Sequence, residues 1–421
     1  MRWRWRRPRT WTRWWRRLPR TCLLPLLPLL LLGCVTALPA GGVAATVPAQ
    51  DTTRDDDVGA MARARQWQLS LLRLPEAWRT SRGEGVLVAV LDTGVRAHPD
   101  LGGVVVQGPD LTGAARTGGM WGHHGTAMAS LIAGRGHGPG LGVIGVAPAA
   151  RVLSVRVTLE SADPRRELLR SGGRHALARG IRYAVDHGAD VISMSLGGGS
   201  GAWEGAAAEE EAVQYAIARG VVLVASSGND GDTTNRKTFP AAYPGVIAVG
   251  AVDSRLRPAR FSNRRDYLSV VAPGTGIVTA SAFGDYVVGD GTSSAAAMVA
   301  GIAALIRSAH PDLSPFQVRR AIERGTRQRP PGGYDSSYGH GVANAVLALR
   351  EAGRLAVTPP LPGGGSGAAG AAPPPRAHFG DGPPAEPPAS RMAVVVGMVL
   401  LAAGMSARVV GRQRRRCRDL T

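Results

Sequence analysis

Between Ala62 and Ala352 the sequence alternates short apolar runs rich in β-branched residues with longer stretches of helical character. This alternation is typical of a parallel sheet covered by helices on both faces, because parallel strands need long crossover connections. The predicted buried strands are Val86–Leu91, Val152–Val157, Val191–Ser195, Val221–Ala225, Val246–Val249 and Leu268–Val271. The predicted helices include Arg174–Gly188, Gly205–Gly220 and Ser293–His310. The sequence therefore predicts one large α/β domain over residues 62–352.

Residues 1–45 are predicted to be a secretory signal peptide. The first 20 residues hold nine arginines and no acidic residue, and the apolar core that follows, Cys22–Leu32, is 11 residues long. A membrane-spanning helix needs about 20 apolar residues, so this core is too short to be an anchor. Small residues at several positions after the core leave the cleavage site open. Lipoprotein processing at Cys34 is an alternative, because Leu31–Cys34 resembles the sequence that precedes an acylated cysteine.

The C-terminal part of the sequence predicts a tether and a membrane anchor. Residues 353–391 are rich in proline and glycine, which is typical of a semi-extended linker. Residues 392–410 contain an uncharged apolar run of 16 residues that can just span a bilayer when the flanking arginine reaches the interface. By the positive-inside rule the basic tail, residues 411–421, is cytoplasmic. We therefore expect a single-pass protein of a bacterial cell membrane whose domain faces away from the cytoplasm.

The formal net charge of +19 does not indicate a nucleic-acid-binding protein. Most of the excess lies in residues 1–20 and 408–421, beside apolar segments, where basic residues determine membrane topology. A nucleic-acid site would spread them over a folded surface, so we expect no nucleic-acid partner. The three cysteines, Cys22, Cys34 and Cys417, lie outside the predicted domain. Burial of apolar residues must therefore stabilise that domain without disulfides.

Three short segments place reactive side chains where the site of an α/β protein is expected. Asp92 directly follows a buried strand, at the carboxyl end where ligand sites of parallel sheets collect. His124 precedes small residues that open a tightly packed helix, and Ser293 begins an apolar helix after a glycine-containing turn. Backbone N–H groups at such a helix start can stabilise an oxyanion. Each segment alone is more often structural, as a turn-capping acid, a surface histidine or an N-cap serine.

Together the three segments resemble the subtilases, the subtilisin-like serine proteases, whose catalytic residues follow the order Asp, His, Ser. Further matching segments are Ala147-Pro148, Ser195–Gly198, Ser226–Asn229 and Phe239–Pro244. The resemblance implies a subtilisin-like α/β fold and an endopeptidase that works through an acyl-enzyme. It implies that Ser293 is the nucleophile, His124 the general base, and Asp92 the carboxylate that orients the histidine. Asn229 matches the family's side-chain donor to the oxyanion.

The same resemblance implies the lining of the primary specificity pocket. Two segments match its walls, and they comprise Ser195, Leu196, Gly197, Gly198, Ala225, Ser226, Ser227 and Gly228. The first segment is also expected to pair with an extended peptide substrate as an added strand. We expect no cofactor and no catalytic metal. A structural calcium site stays open, since no compact acidic loop stands out and the acidic cluster Asp51–Asp57 is expected to be solvated in a loose N-terminal extension, residues 46–61.

Within the family the chain is most similar to the mycosins, the membrane-anchored subtilases associated with type VII secretion. The similarity rests on Ala64–Leu69, Leu74–Arg79 and the C-terminal linker and anchor. It implies a peptide or protein substrate, the membrane, and membrane proteins of a secretion complex as partners. The segment between the signal peptide and Trp67 is too short for a separately folded propeptide. Two alternatives are a structural stabiliser of the secretion complex with secondary proteolysis, and a general cell-surface protease.

Overall fold

A nine-stranded sheet forms the centre of the computed structural model, which describes residues 52–114, 116, 121–166, 175–197 and 205–357. The strands of this sheet are β1 (Leu87–Asp92), β2 (Val105–Asp110), β3 (Arg151–Arg156), β4 (Val191–Met194), β5 (Val222–Ser226), β6 (Ile247–Val252), β7 (Leu268–Pro273), β10 (Thr326–Arg327) and β11 (Val342–Ala343). Their spatial order is β2-β3-β1-β4-β5-β6-β7-β11-β10, and neighbours are parallel except β10 and β11. A separate hairpin consists of β8 (Ile277–Ala280) and β9 (Tyr286–Gly289).

Helices pack on both faces of this sheet, as predicted. They are α1 (Thr52–Ala64), α2 (Gln68–Leu71), α3 (Leu74–Ala77), α4 (His123–Ala133), α5 (Ala176–Asp186), α6 (Ala207–Ala218), α7 (Thr292–Ala309), α8 (Pro315–Arg324) and α9 (Ala345–Val357). Along β1, Val88 and Val90 belong to the core that includes α4 and α7, whereas Ala89 and Leu91 belong to the core that includes α5 and α6. Because both faces are covered, the central strands are apolar throughout, which is typical of parallel sheets.

The first described helix, α1, is tied to the domain. Residues 52–61, expected to belong to a loose extension, are helical instead. Arg63 donates hydrogen bonds of 2.8 and 3.0 Å to backbone carbonyls of the loop 141–144. The side chain of Gln66 exchanges two hydrogen bonds of 2.9 Å with the backbone of Ile144 in the same loop. These polar contacts hold the chain that enters the domain and explain why it does not extend freely.

Within the described ranges, α7 is the helix that is long and apolar enough to cross a membrane. In that helix 89% of the residues in the apolar window are buried inside the domain, so it is a core helix. The last described helix, α9, continues to Val357, past the domain end expected at Ala352. The predicted signal peptide, the anchor at 392–410 and the basic tail lie outside the described residues, as does the linker beyond Val357.

Candidate active site

The three predicted segments meet at the carboxyl edge of the sheet. Strand β1 lies between β3 and β4, where the order of strands reverses, and such switch points create a crevice beyond the strand ends. Asp92 ends β1 and is fully buried. Helix α4 begins with His123 and His124, and Ser293 is the second residue of α7. The three residues therefore lie at a strand end and at the starts of two helices.

The carboxylate of Asp92 lies against the imidazole of His124. Nδ1 of the ring is 2.8 Å from Oδ1 and 2.9 Å from Oδ2 of the carboxylate. Burial is the largest single influence and lowers the pKa of His124, but the charge of Asp92, the hydrogen bond to Asp92 and the charge of Glu160 together outweigh it, so the pKa is raised above its ordinary value. A carboxylate can only accept, so the proton of the neutral ring is on Nδ1. Nε2 is then the basic nitrogen of the ring.

The neighbouring histidine has a different environment. The ring of His123 packs against Phe283, with ring centroids 4.7 Å apart. Helix α4 approaches the turn after β1 so closely that a Cβ on Gly125 would lie 2.2 Å from the carbonyl oxygen of Gly94. The prediction that small residues let this helix lie near the sheet is confirmed. This close approach brings the ring of His124, one residue earlier, onto Asp92.

Ser293 is connected to the end of strand β4 through Ser195. The hydroxyl of Ser195 donates to the carbonyl oxygen of Ser293 at 3.0 Å. The hydroxyl of Ser293 lies 3.5 Å from the carbonyl oxygen of Ser195, which is long for a hydrogen bond. The N–H groups of the first turn of a helix have no intrahelical acceptor, so the N–H of Ser293 is available to a ligand. Ser294 is more deeply buried, at 1% exposure against 7% for Ser293.

Asn229 is tied to the residue that precedes Ser293. Its Oδ1 accepts the backbone N–H and the hydroxyl of Thr292, both at 2.9 Å. A backbone N–H only donates, so the accepting atom is the amide oxygen and the orientation of the amide group is fixed. The Nδ2 of Asn229 is the donor that this arrangement leaves for another acceptor.

The segment that contains Asn229 is supported from behind by Asn263, which is fully buried. The backbone N–H of Asn263 donates to the carbonyl of Gly228 at 3.1 Å. Its Oδ1 accepts the N–H of Asp230 at 2.6 Å. Asn263 therefore holds both neighbours of Asn229. Gly228 has a φ of +107°, and a Cβ there would lie 2.5 Å from Nδ2 of Asn263.

The two predicted pocket walls are linked to each other. The hydroxyl of Ser226 donates to the carbonyl oxygen of Leu196 at 3.1 Å. Ala225, Ser226, Ser227 and Gly228 are buried, whereas Leu196 is half-buried and Gly197 is exposed. Gly198 lies outside the described residues. The wall Ala225–Gly228 is therefore fixed in the core, and the other wall reaches the surface at Gly197. A segment can pair with a peptide substrate only if its backbone is accessible in this way.

Sequence reasoning missed the residues that support the site. Besides Asn263, these are Thr93 and Glu160, whose side chains accept backbone N–H groups at the start of α4. Glu160 lies shortly after the end of strand β3, much as Asp92 lies at the end of β1. An acidic residue after a buried strand was therefore the sequence signal that could have identified Glu160. Among the residues that the structure describes, no group of three or more His, Cys, Asp or Glu side chains is placed to hold a metal ion.

Comparison with known proteins identifies the family, because residues 83–341 match the subtilase family, Peptidase S8. The chain belongs to the subtilase family. It is 36% identical to M-protease of Shouchella clausii over 301 residues, 70% of this chain and 73% of that protein. It is 38% identical to thermitase of Thermoactinomyces vulgaris over 261 residues, 62% of this chain and 88% of that protein.

Solved structures of mycosins resemble the domain. MycP1 from Mycobacterium smegmatis is 30% identical with a TM-score of 0.58, covering 67% of this chain and 84% of that one. MycP3 protease from the type VII (ESX-3) secretion system is 33% identical with a TM-score of 0.58, covering 67% of this chain and 87% of that one. The predicted subtilisin-like fold, the serine peptidase family and the resemblance to mycosins are confirmed.

Proposed function

We propose that this subtilase is an endopeptidase that hydrolyses peptide bonds through an acyl-enzyme, with Asp92, His124 and Ser293 as its catalytic triad. The observation that best supports this is the contact of His124 Nδ1 with both carboxylate oxygens of Asp92, at 2.8 and 2.9 Å. That contact leaves Nε2 as the base in a crevice where Ser293 begins a helix. A buried aspartate with this geometry both orients the ring and stabilises its protonated form.

The reaction follows from the chemistry of these groups. Oγ of Ser293 attacks the peptide carbonyl carbon while its proton passes to Nε2 of His124. The C–N bond then breaks, and Nε2 gives the proton to the leaving amine. Water attacks the resulting ester, and the same nitrogen takes its proton and returns it to Ser293. Throughout, the charge of Asp92 stabilises the imidazolium.

The oxyanion of each tetrahedral intermediate needs two donors. The N–H of Ser293, in the first turn of α7, supplies one. Nδ2 of Asn229 supplies the other, because Thr292 occupies the oxygen of that amide. Loss of one such donor typically raises the barrier by about 2.7–4 kcal/mol, a rate decrease of roughly 100- to 1,000-fold.

Substrate binding is assigned to the two linked walls. The segment Ser195–Gly198, which reaches the surface at Gly197, pairs with the extended peptide backbone, and the buried segment Ala225–Gly228 forms the floor and side of the primary pocket. The hydrogen bond from Ser226 to Leu196 keeps the spacing between them. Substrate specificity then depends on the volume that these two segments leave between them for a side chain of the substrate.

Location at the membrane and participation in type VII secretion are part of the proposal. They are supported by the apolar run within 392–410 with its basic tail, and by structural similarity to MycP1 and MycP3, the latter from a type VII system. A strain that carries Ser293→Ala should be compared with a deletion strain. Equal loss of secretion supports a proteolytic role, whereas normal secretion with Ser293→Ala would support a structural one.

Hydrolysis of a fluorogenic peptide, selected from a dye-labelled library, tests the proposed chemistry. We expect Ser293→Ala to reduce kcat by about 10⁴-fold or more. Ser294→Ala is the matched control, since it removes the same hydroxyl one residue further along α7, and should change kcat only a few-fold. Equal activity of wild type and Ser293→Ala would refute the triad.

A further inference from the structure

The start of helix α4 lacks a capping residue of its own. Gly122 precedes the helix with a φ of +75° and has no side chain to accept the first N–H groups. Such groups are left without intrahelical partners in every α-helix, and an unpaired buried N–H is destabilising. Some other part of the molecule must therefore supply acceptors beside the catalytic histidine.

Glu160, in the loop after β3, supplies them. Its Oε1 accepts the N–H of His123 at 2.7 Å and the N–H of His124 at 3.3 Å. The next N–H, of Gly125, donates to Oγ1 of Thr93 at 3.1 Å. The first three N–H groups of α4 are thus bound by side chains that follow strands β3 and β1. Of these side chains, Glu160 binds the backbone N–H of His124.

The position of Glu160 is linked to that of Asp92. The backbone N–H groups of Val157 and Thr158 both donate to the carbonyl oxygen of Asp92, at 2.9 and 3.3 Å. Leu159 is buried at 2% exposure, and the N–H of Asp163 donates to the carbonyl of Glu160 at 3.0 Å. The chain between β3 and Glu160 is therefore fixed to the same strand end that contacts the imidazole.

The charge of Glu160 also acts on the ring. Burial lowers the pKa of His124. The negative charge of Asp92 and, to a smaller extent, that of Glu160 raise this pKa, whereas the positive charge of Arg166 lowers it. Arg166 comes from the same loop and donates to the hydroxyl of Ser161 at 2.6 Å. A carboxylate at the positive end of a helix is itself favourable. Glu160 is thus held in place and close to the group that must gain a proton during the reaction.

We propose that Glu160 is a positioning residue of the active site, which fixes the backbone of His124 at the start of α4 and adds negative charge on the side of its imidazolium. It does not touch the reacting atoms and acts through His124. This inference rests on the proposed function, because it assigns Glu160 to the general base of that reaction. It predicts effects on kcat and on pH dependence, with KM largely unchanged.

The test uses Glu160→Ala and Glu160→Gln, with Asp163→Asn as a matched control. Asp163 is an acid in the same loop whose carboxylate binds Arg165. For each protein we measure kcat and KM on the fluorogenic peptide, and the rate of labelling by a fluorophosphonate as a function of pH. Labelling of wild type but not of Ser293→Ala establishes the proposed function independently of any result at Glu160.

We expect Glu160→Ala to lower kcat roughly ten-fold or more, because small displacements of a catalytic group have large effects on rate. Glu160→Gln retains an oxygen for the two N–H groups and should keep more of kcat. In the pH profile of the labelling rate, both variants should move the acidic limb to lower pH, because each removes a negative charge that favours the imidazolium form of His124. Asp163→Asn should change neither property.

Three results would overturn the inference. The first is wild-type kcat together with an unmoved acidic limb in both Glu160 variants. The second is the same shift of the limb in Asp163→Asn. The third applies if Glu160→Ala does not fold. In that case, a Glu160→Gln variant whose acidic limb of labelling lies at the wild-type pH would rule out the proposed role of Glu160.

Discussion

Replacement of Asn263 by alanine tests how Asn229, the proposed oxyanion donor, is held. The side chain makes three hydrogen bonds: it accepts the N–H of Asp230 at 2.6 Å and donates to the carbonyl of Arg236 at 3.0 Å and to the hydroxyl of Thr238 at 3.2 Å. At about 1 kcal/mol each, and more where a buried partner is left unpaired, their loss should lower the free energy of unfolding by about 3–5 kcal/mol. The released N–H of Asp230 is next to Asn229, so kcat should also fall roughly ten-fold or more.

Urea denaturation measures the first effect, in a Ser293→Ala background that prevents self-digestion. Asn235→Gly is the control, because Asn235 binds the backbone of Arg264 at the surface and its φ of +43° suits glycine. It should change the unfolding free energy by less than about 1 kcal/mol. The decrease in kcat should vanish when Asn263→Ala is made in an Asn229→Ala background. An equal decrease of kcat in both backgrounds, or equal stability of the Asn263→Ala and Asn235→Gly variants, would show that Asn263 does not hold Asn229 in place.

Three further predictions concern the helix start and a buried ion pair. The pKa of His124 is raised above its ordinary value and its neutral ring is the proposed base, so the acidic limb of the pH profile of kcat/KM should lie above pH 6.5; a limb below that value would contradict the raised pKa. Gly125→Ala places a Cβ 2.2 Å from a carbonyl oxygen and should lower kcat/KM roughly 100-fold; unchanged kinetics would contradict the close approach. Asp110→Asn removes the counter-charge of Arg156, which is 1% exposed, and should lower the free energy of unfolding at pH 7 by about 1–3 kcal/mol in urea titrations. Burial raises the pKa of Asp110, but hydrogen bonds from Thr112 and Arg156 lower it overall, so the wild-type advantage should be present above pH 3.8 and shrink as pH falls through the folded-state pKa; a constant advantage would contradict this.

The central strands could be predicted from the sequence because burial on both faces gives continuous apolar runs. The run Val191–Ser195 corresponds to β4, which ends one residue earlier at Met194. Strand β2 was not predicted, because its residues Val105–Asp110 are only partly buried and include a glycine, a proline and two polar residues. The two-residue strands β10 and β11 are too short to give a periodic signal.

The proposed triad could be predicted because each of its residues lies in a short local motif and the order of the three motifs is characteristic. Their supports could not be found in that way. Glu160 contacts His124 across 36 residues, and Asn263 contacts Asp230 across 33. Such hydrogen bonds depend on which strand ends meet in space, and the sequence around each residue has no pattern that specifies its partner. Helix α1 likewise contacts a distant loop, because Gly59 and Arg63 form hydrogen bonds with the backbone of Leu141 and Gly142.

The site of a covalent fluorophosphonate adduct shows which serine is the nucleophile. Wild-type protein is treated with a fluorophosphonate, digested and mapped by mass spectrometry, alongside Ser293→Ala, Ser294→Ala and His124→Ala. We expect one adduct on Ser293, its loss in Ser293→Ala, its retention in Ser294→Ala and a strongly reduced labelling rate in His124→Ala. An adduct on Ser294, or labelling that persists in Ser293→Ala, would show that Ser293 is not the nucleophile.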